Sequence, residues 1–157
     1  MKTLDYIGLD ANASKKVVDS LQQLLADYHV FYANLRGLHW NIQGKHFFGL
    51  HEKFEELYDV VGDQIDEIAE RILTLAGVPA HNLSVYAKTA KLKESGYITG
   101  AKESVENVLE GLSFLIAAQR ATMDLAGEVD DEGTSALMSD YIRNQEKLVW
   151  MYTAWLA

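Results

Sequence analysis

Counting from Val17, apolar side chains return at Leu21, Leu24, Tyr28, Phe31, Leu35 and Leu38, in steps of four and three residues. That repeat belongs to one face of an α-helix, which completes a turn in about 3.6 residues. It predicts a first helix starting from an N-cap at Asn12 or Ser14 and ending near Trp40, with residues 1–12 as a short tail. The stretch NIQGKHF reads as a turn, after which Phe54, Leu57, Val61, Ile65, Ile68, Ile72 and Leu75 repeat the pattern until Gly77 and Pro79 stop it. Thr99 leads into a third stripe of Val105, Val108, Leu112, Leu115, Ile116, Gln119 and Met123. Beyond the acidic break GEVDDEG, Leu137, Met138, Tyr141, Ile142, Leu148, Val149, Tyr152 and Trp155 make a fourth. Between residues 77 and 101, Gly77, Pro79, Asn82, Gly96 and Gly100 punctuate SVYAKTAKLK, which has room for one or two short helical turns.

Short connections make antiparallel hairpins of the first and last pairs, and the long middle connection joins them as a crossover. The result is an all-α chain with the connectivity of a ferritin-like four-helix bundle, a short helix in its crossover, and one domain over residues 1–157. A single proline in 157 residues agrees with long uninterrupted helices. Fourteen basic against twenty-three acidic residues give a formal charge of −9, the wrong sign for nucleic acid or an anionic membrane. The absence of cysteine removes disulfides, thiolate metal sites and thiol nucleophiles. No apolar run exceeds five residues, the length of Phe114 to Ala118, which is far below the roughly 20 residues of a membrane span. A cytoplasmic location is expected.

With no thiol and no glycine-rich phosphate loop, chemistry has to come from carboxylates and imidazoles. The Glu-x-x-His signature of di-iron bundles is absent, because none of His29, His39, His46, His51 and His81 has a glutamate three residues before it. The second helix offers His51, Glu55, Asp66 and Glu70. At about 100° per residue they lie near 0°, 40°, 60° and 100°, an arc distinct from the apolar stripe. Glu55 and Asp66 are eleven residues apart, about 16 Å along the axis, too far for one metal ion to touch both. The distance closes if a second copy of this helix packs antiparallel about a two-fold axis near residues 60 and 61. His51 and Glu55 of one chain then face the equivalents of Asp66 and Glu70 of the other, twice per dimer. Gly62 and Ala69 share this face and would allow close approach. The same arc is also the pattern of a solvated acidic face, or of a dimer seam without metal.

The string HWNIQGKHFFGLHEKFEELYDVVGDQIDEIAERI, residues 39–72, closely resembles the signature of the Dps family, the miniferritins of starved bacterial cells. The resemblance extends to the crossover, the acidic turn DDEGT at 130–134 and the closing KLVWMYTAWL. It implies ferroxidase centres between subunits at His39, His51, Glu55, Asp66 and Glu70, the two histidines from one subunit and the last two acids from its two-fold mate. It also implies Trp40 close to the site, a position equally consistent with simple packing. The family usually has aspartate at the position of Glu55, so the ligand type persists while its reach grows by one methylene. Such nitrogen and carboxylate ligation suits Fe(II) and also accepts Zn(II) as a competitor.

By similarity, the protein would be a hollow dodecamer that takes in Fe(II), oxidises it preferentially with H2O2 rather than O2, and stores Fe(III) mineral, protecting the cell and its DNA from oxidative damage. Glu52, Glu55 and Glu56 resemble cavity acids that nucleate mineral, and Asp130, Asp131 and Glu132 resemble acids lining three-fold pores; each is also compatible with an ordinary solvated acid. Family members that bind DNA typically carry lysine-rich tails. Here the first twelve residues hold one lysine, and twelve copies would sum to a charge of about −108, so tight direct DNA binding is not expected. A nucleoid-packing protein and a shell without productive metal chemistry are the competing readings.

Overall fold

The computed structural model describes residues 3–157. Its helices are α1 (Thr3–Ile7), α2 (Ser14–Asn41), α3 (Phe47–Thr74), α4 (Leu83–Thr89), α5 (Ala101–Gly127) and α6 (Glu132–Leu156), and the described residues include no strand. Helices α2 and α3 form one hairpin and α5 and α6 the other, while α2 packs on both α5 and the short α4 of the crossover. The predicted stripe of α2 is the heart of the core: Val17, Leu21, Leu24, Tyr28, Phe31, Leu35 and Leu38 are all buried. Close packing of the hairpins is set by Gly111 on α5, where an added Cβ would fall 2.4 Å from Cε2 of Phe31 on α2.

The helix starts differ from the pattern-based expectation. Residues 3–7 of the expected tail are helical and bury Leu4; the tail's first two residues, Met1 and Lys2, lie outside the described residues. Neither Asn12 nor Ser14 caps α2. Asp10 does the local work instead, its Oδ1 accepting the amide protons of Asn12 and Ala13 at 2.9 and 2.8 Å, while Ser14 is already helical and buried. At the end of α3, the Gly77 amide bonds the Ile72 carbonyl and the Ala76 amide bonds that of Leu73, both at 2.9 Å, a paired closure of the last turn. The left-handed residue of this closure is Ala76, at φ +60°, rather than the neighbouring glycine. Gly77 is needed for proximity: a Cβ there would lie 2.7 Å from Val18 Cγ1 and 2.9 Å from Ile72 Cγ2.

Two polar residues of α2, seven positions apart and so on one face, hold the crossover. Asp27, only 1% exposed, accepts the amide protons of Lys91 and Leu92 on Oδ1 at 2.6 and 2.8 Å, and that of Gln23 Nε2 on Oδ2 at 3.1 Å. Asn34 donates to the Lys93 carbonyl at 3.0 Å and accepts from the Ser95 amide at 2.9 Å. These side chains satisfy main-chain groups of an irregular segment that has no ladder of its own. Nearby, Tyr86 of α4 stacks on His29 with ring centroids 3.9 Å apart.

Candidate metal centre

His39 occupies the last turn of α2 and His51 the second turn of α3. The link between them reverses through Gly44, whose φ of +95° is open to a residue without a Cβ, and is pinned by buried Ile42. The reversal brings the two imidazoles face to face, centroids 3.7 Å apart and planes inclined by 17°. Each ring is tied to the other helix's main chain: His39 Nδ1 lies 2.7 Å from the His51 carbonyl oxygen, and His51 Nδ1 lies 2.8 Å from that of His39. A carbonyl can only accept, so both Nδ1 atoms carry the proton and Nε2 is the nitrogen left to bind a metal.

Glu55, one turn after His51, completes the cluster. One ligand atom from each of His39, His51 and Glu55 lies within 4.8 Å of the other two, the only such group of three or more among the described residues. His39 is buried, His51 half-buried and Glu55 exposed, which grades the cluster from core to surface. Two imidazole nitrogens and a carboxylate oxygen suit a borderline divalent cation such as Fe(II) or Zn(II), but supply three ligands where zinc takes four. The donor set of a single chain therefore fits a metal ion and leaves at least one coordination position open for a further ligand.

Asp66 and Glu70 are exposed farther along α3 and do not join this group. Gly62 lies between them and Glu55. A Cβ there would meet only Tyr32 Cε2, at an ordinary 3.7 Å, so nothing within the chain requires a glycine. Trp40 is neither packed in the core nor hidden: it is 61% exposed, with the Arg36 guanidinium 4.6 Å from its ring centroid. Tyr58 belongs to the centre and was not singled out by the sequence pattern, although it stands seven residues after His51. Its ring meets His39 edge-on at 5.3 Å and Tyr32 at 5.8 Å. Desolvation first, then the charges of Glu55 and Asp59, hold its phenol above the usual value.

The other acids divide sharply. Glu52 is exposed, whereas both oxygens of Glu56 accept from the Lys53 ammonium, at 2.9 and 2.6 Å, which offsets the charge expected to attract cations there. Asp130 and Glu132 are exposed. Asp131 departs from the expected pore-lining role: it is 1% exposed and serves as the N-cap of α6. Its Oδ1 accepts from the Thr134 amide and from Arg71 Nη2, and its Oδ2 from the Thr134 hydroxyl at 2.6 Å. With both oxygens committed inside the fold, it presents no open carboxylate to a channel.

Residues 18–157 match the family described as Ferritin-like domain. The chain is 46% identical over 154 residues to the DNA protection during starvation protein of Porphyromonas gingivalis, covering 98% of this chain and 97% of the relative. Among solved structures it superposes on the Dps protein of Vibrio cholerae O1 with a TM-score of 0.94 and 56% identity, covering 96% and 95% of the two chains. That protein is described as a member of a broad superfamily of ferritin-like diiron-carboxylate proteins. The Dps of Listeria innocua, in a crystal soaked with zinc, superposes with a TM-score of 0.86 at 28% identity, covering 89% and 95%.

Proposed function

Since the chain belongs to the Dps family of the ferritin-like superfamily, we propose that it is a ferroxidase that takes Fe(II) as substrate, oxidises it, and keeps the product as Fe(III) mineral inside a closed shell of its own copies. The observation that carries this reading is the convergence of His39, His51 and Glu55, with both Nδ1 atoms already bonded and both Nε2 atoms free. These three residues bind Fe(II). Asp66 and Glu70 of a two-fold related copy complete the ligand set across an antiparallel pair of α3 helices. Spare room beside Gly62 supports that arrangement, since the glycine's cost of about 0.5–1 kcal/mol in a helix then has a purpose in the close approach of the second copy.

The division of labour follows from the donors. Neutral imidazoles hold the divalent ion without over-binding it, and each carboxylate attracts Fe(III) more strongly than Fe(II), which favours loss of the electron. H2O2 is the preferred electron acceptor, with O2 as the slower one, and consuming both Fe(II) and H2O2 protects the cell and its DNA. Zn(II) competes for the same donors. In a dodecamer, exposed Asp130 and Glu132 draw Fe(II) inward and Glu52 offers a place for mineral to start. Protection of DNA is chemical: a charge of −9 per chain opposes tight direct binding to phosphates, and the protein acts in the cytoplasm.

The test is to mix anaerobic Fe(II) with the purified protein and follow ferric absorbance after adding H2O2 or air, weighing the particle in the same sample. Rapid, peroxide-dependent oxidation by a particle of twelve copies is expected, and should be lost in His51→Ala/Asp66→Ala while the particle persists. Oxidation unchanged in that variant, or no faster than buffer in the intact wild-type shell, would refute the assignment.

A further inference from the structure

Glu55 is the least constrained member of the centre: exposed, and engaged in no ion pair among the described residues. Its carboxylate hangs on one more rotatable bond than aspartate would, so holding it toward the two imidazoles costs additional side-chain entropy. Tyr58 is placed to reduce that cost. It follows Glu55 by three residues on the same helix, a spacing at which side chains are neighbours. Its ring is held from two sides, edge-on against His39 with planes at 88° and edge-on against Tyr32 with planes at 80°. The ring's position is therefore set by the buried histidine of the same centre and by α2, on the same helix face as Glu55 one turn earlier.

We propose that Tyr58 is a positioning residue for Glu55, its hydroxyl donating to the carboxylate oxygen that the metal leaves free and so holding the other oxygen toward His39 and His51. This rests on the metal-centre reading above. A partner that orients a metal-binding side chain typically changes metal affinity by about 10- to 100-fold, and the exposure of Glu55 puts the expected effect at the lower end, about tenfold. Tyr58→Phe keeps the ring against His39 and Tyr32 and removes only the donor.

The measurement is equilibrium titration of the assembled, iron-free protein with Co(II), read by its visible absorption, for wild type, Tyr58→Phe, Glu55→Ala, the double variant and His51→Ala. Thermal unfolding of each accompanies the titrations. The expected result is about tenfold weaker binding in Tyr58→Phe at unchanged thermal midpoint, and no further loss when Tyr58→Phe is added to Glu55→Ala. Wild-type affinity in Tyr58→Phe would overturn the proposal, as would an equal loss in the Glu55→Ala background, which would mean that the hydroxyl acts through something other than this carboxylate. Wild-type affinity in both Glu55→Ala and His51→Ala would instead overturn the metal-centre reading itself, and the positioning role with it.

Discussion

Replacing Asp131 by alanine separates two roles that one acidic residue in an acidic turn can have. In the structure its carboxylate is 99% withdrawn from solvent and binds the Arg71 guanidinium, whose side chain is 19% exposed, as well as the amide and hydroxyl of Thr134. Arg71 Nε also donates to the Thr134 hydroxyl, at 2.9 Å, and Gly133 makes room for the guanidinium: a Cβ there would lie 2.7 Å from Nη2. Loss of an N-cap costs about 1 kcal/mol, and removing one partner of a buried ion pair about 3–5 kcal/mol. The two losses share the same oxygens, and the partly exposed arginine can swing toward water, so the total expected is about 3–4 kcal/mol. For a chain of this length that corresponds to a thermal midpoint lower by about 10 °C. Calorimetry or circular dichroism at a fixed protomer concentration reads it, since assembly makes the midpoint depend on concentration. Arg71→Met combined with Asp131→Leu should recover part of the loss, because no charge is then left buried without its counter-charge. A midpoint within about 2 °C of wild type, together with slower iron uptake, would refute the reasoning and return Asp131 to the channel.

Two further variants probe the scaffold. Gly111→Ala should cost about 1–3 kcal/mol in urea unfolding, because its methyl group would run into Phe31, and Phe31→Leu in the same chain should relieve part of the strain. His29, stacked on Tyr86, has its pKa lowered from the ordinary 6.5 by desolvation, so the unfolded chain takes up the proton more readily than the folded one. Its contribution to stability is therefore complete above about pH 6.5 and declines as the pH falls below that value; His29→Gln should flatten this part of the stability profile between about pH 5 and 7, and an unchanged slope would exclude His29 as its source.

The long helices were legible because their faces repeat over many residues, and an error of one position hardly alters such a sum. The nearness of His51 and Glu55 was legible for the same reason, since they stand one turn apart on a single helix. What escaped depends on contacts between distant segments or on a single local bond. Asp131 looks like its acidic neighbours until Arg71, sixty residues earlier in the chain, is brought beside it; only its place three residues before Thr134 hinted at a cap. Asp27 and Asn34 sit within a helical pattern that says nothing of the crossover they hold. Tyr58 lies close enough to the apolar stripe to pass for packing, and its role emerges only when the turn at Gly44 brings His39 beside it. At the first helix, Asn12 and Ser14 are good caps by residue type, but Asp10 reached the free amides first.

The exchange of ring-to-carbonyl bonds between His39 and His51 makes the metal centre a gauge of how the first hairpin is aligned. Sliding α2 along α3 by even part of a turn would break both bonds together and unstack the rings, so the nitrogen donors inherit the stiffness of two long helices. The oxygen donor inherits less of it, standing on the surface at the end of an arm that only Tyr58 steadies. A jaw with one fixed side and one softer side could adjust to the radius of a cation placed in it while the bundle that carries it stays still.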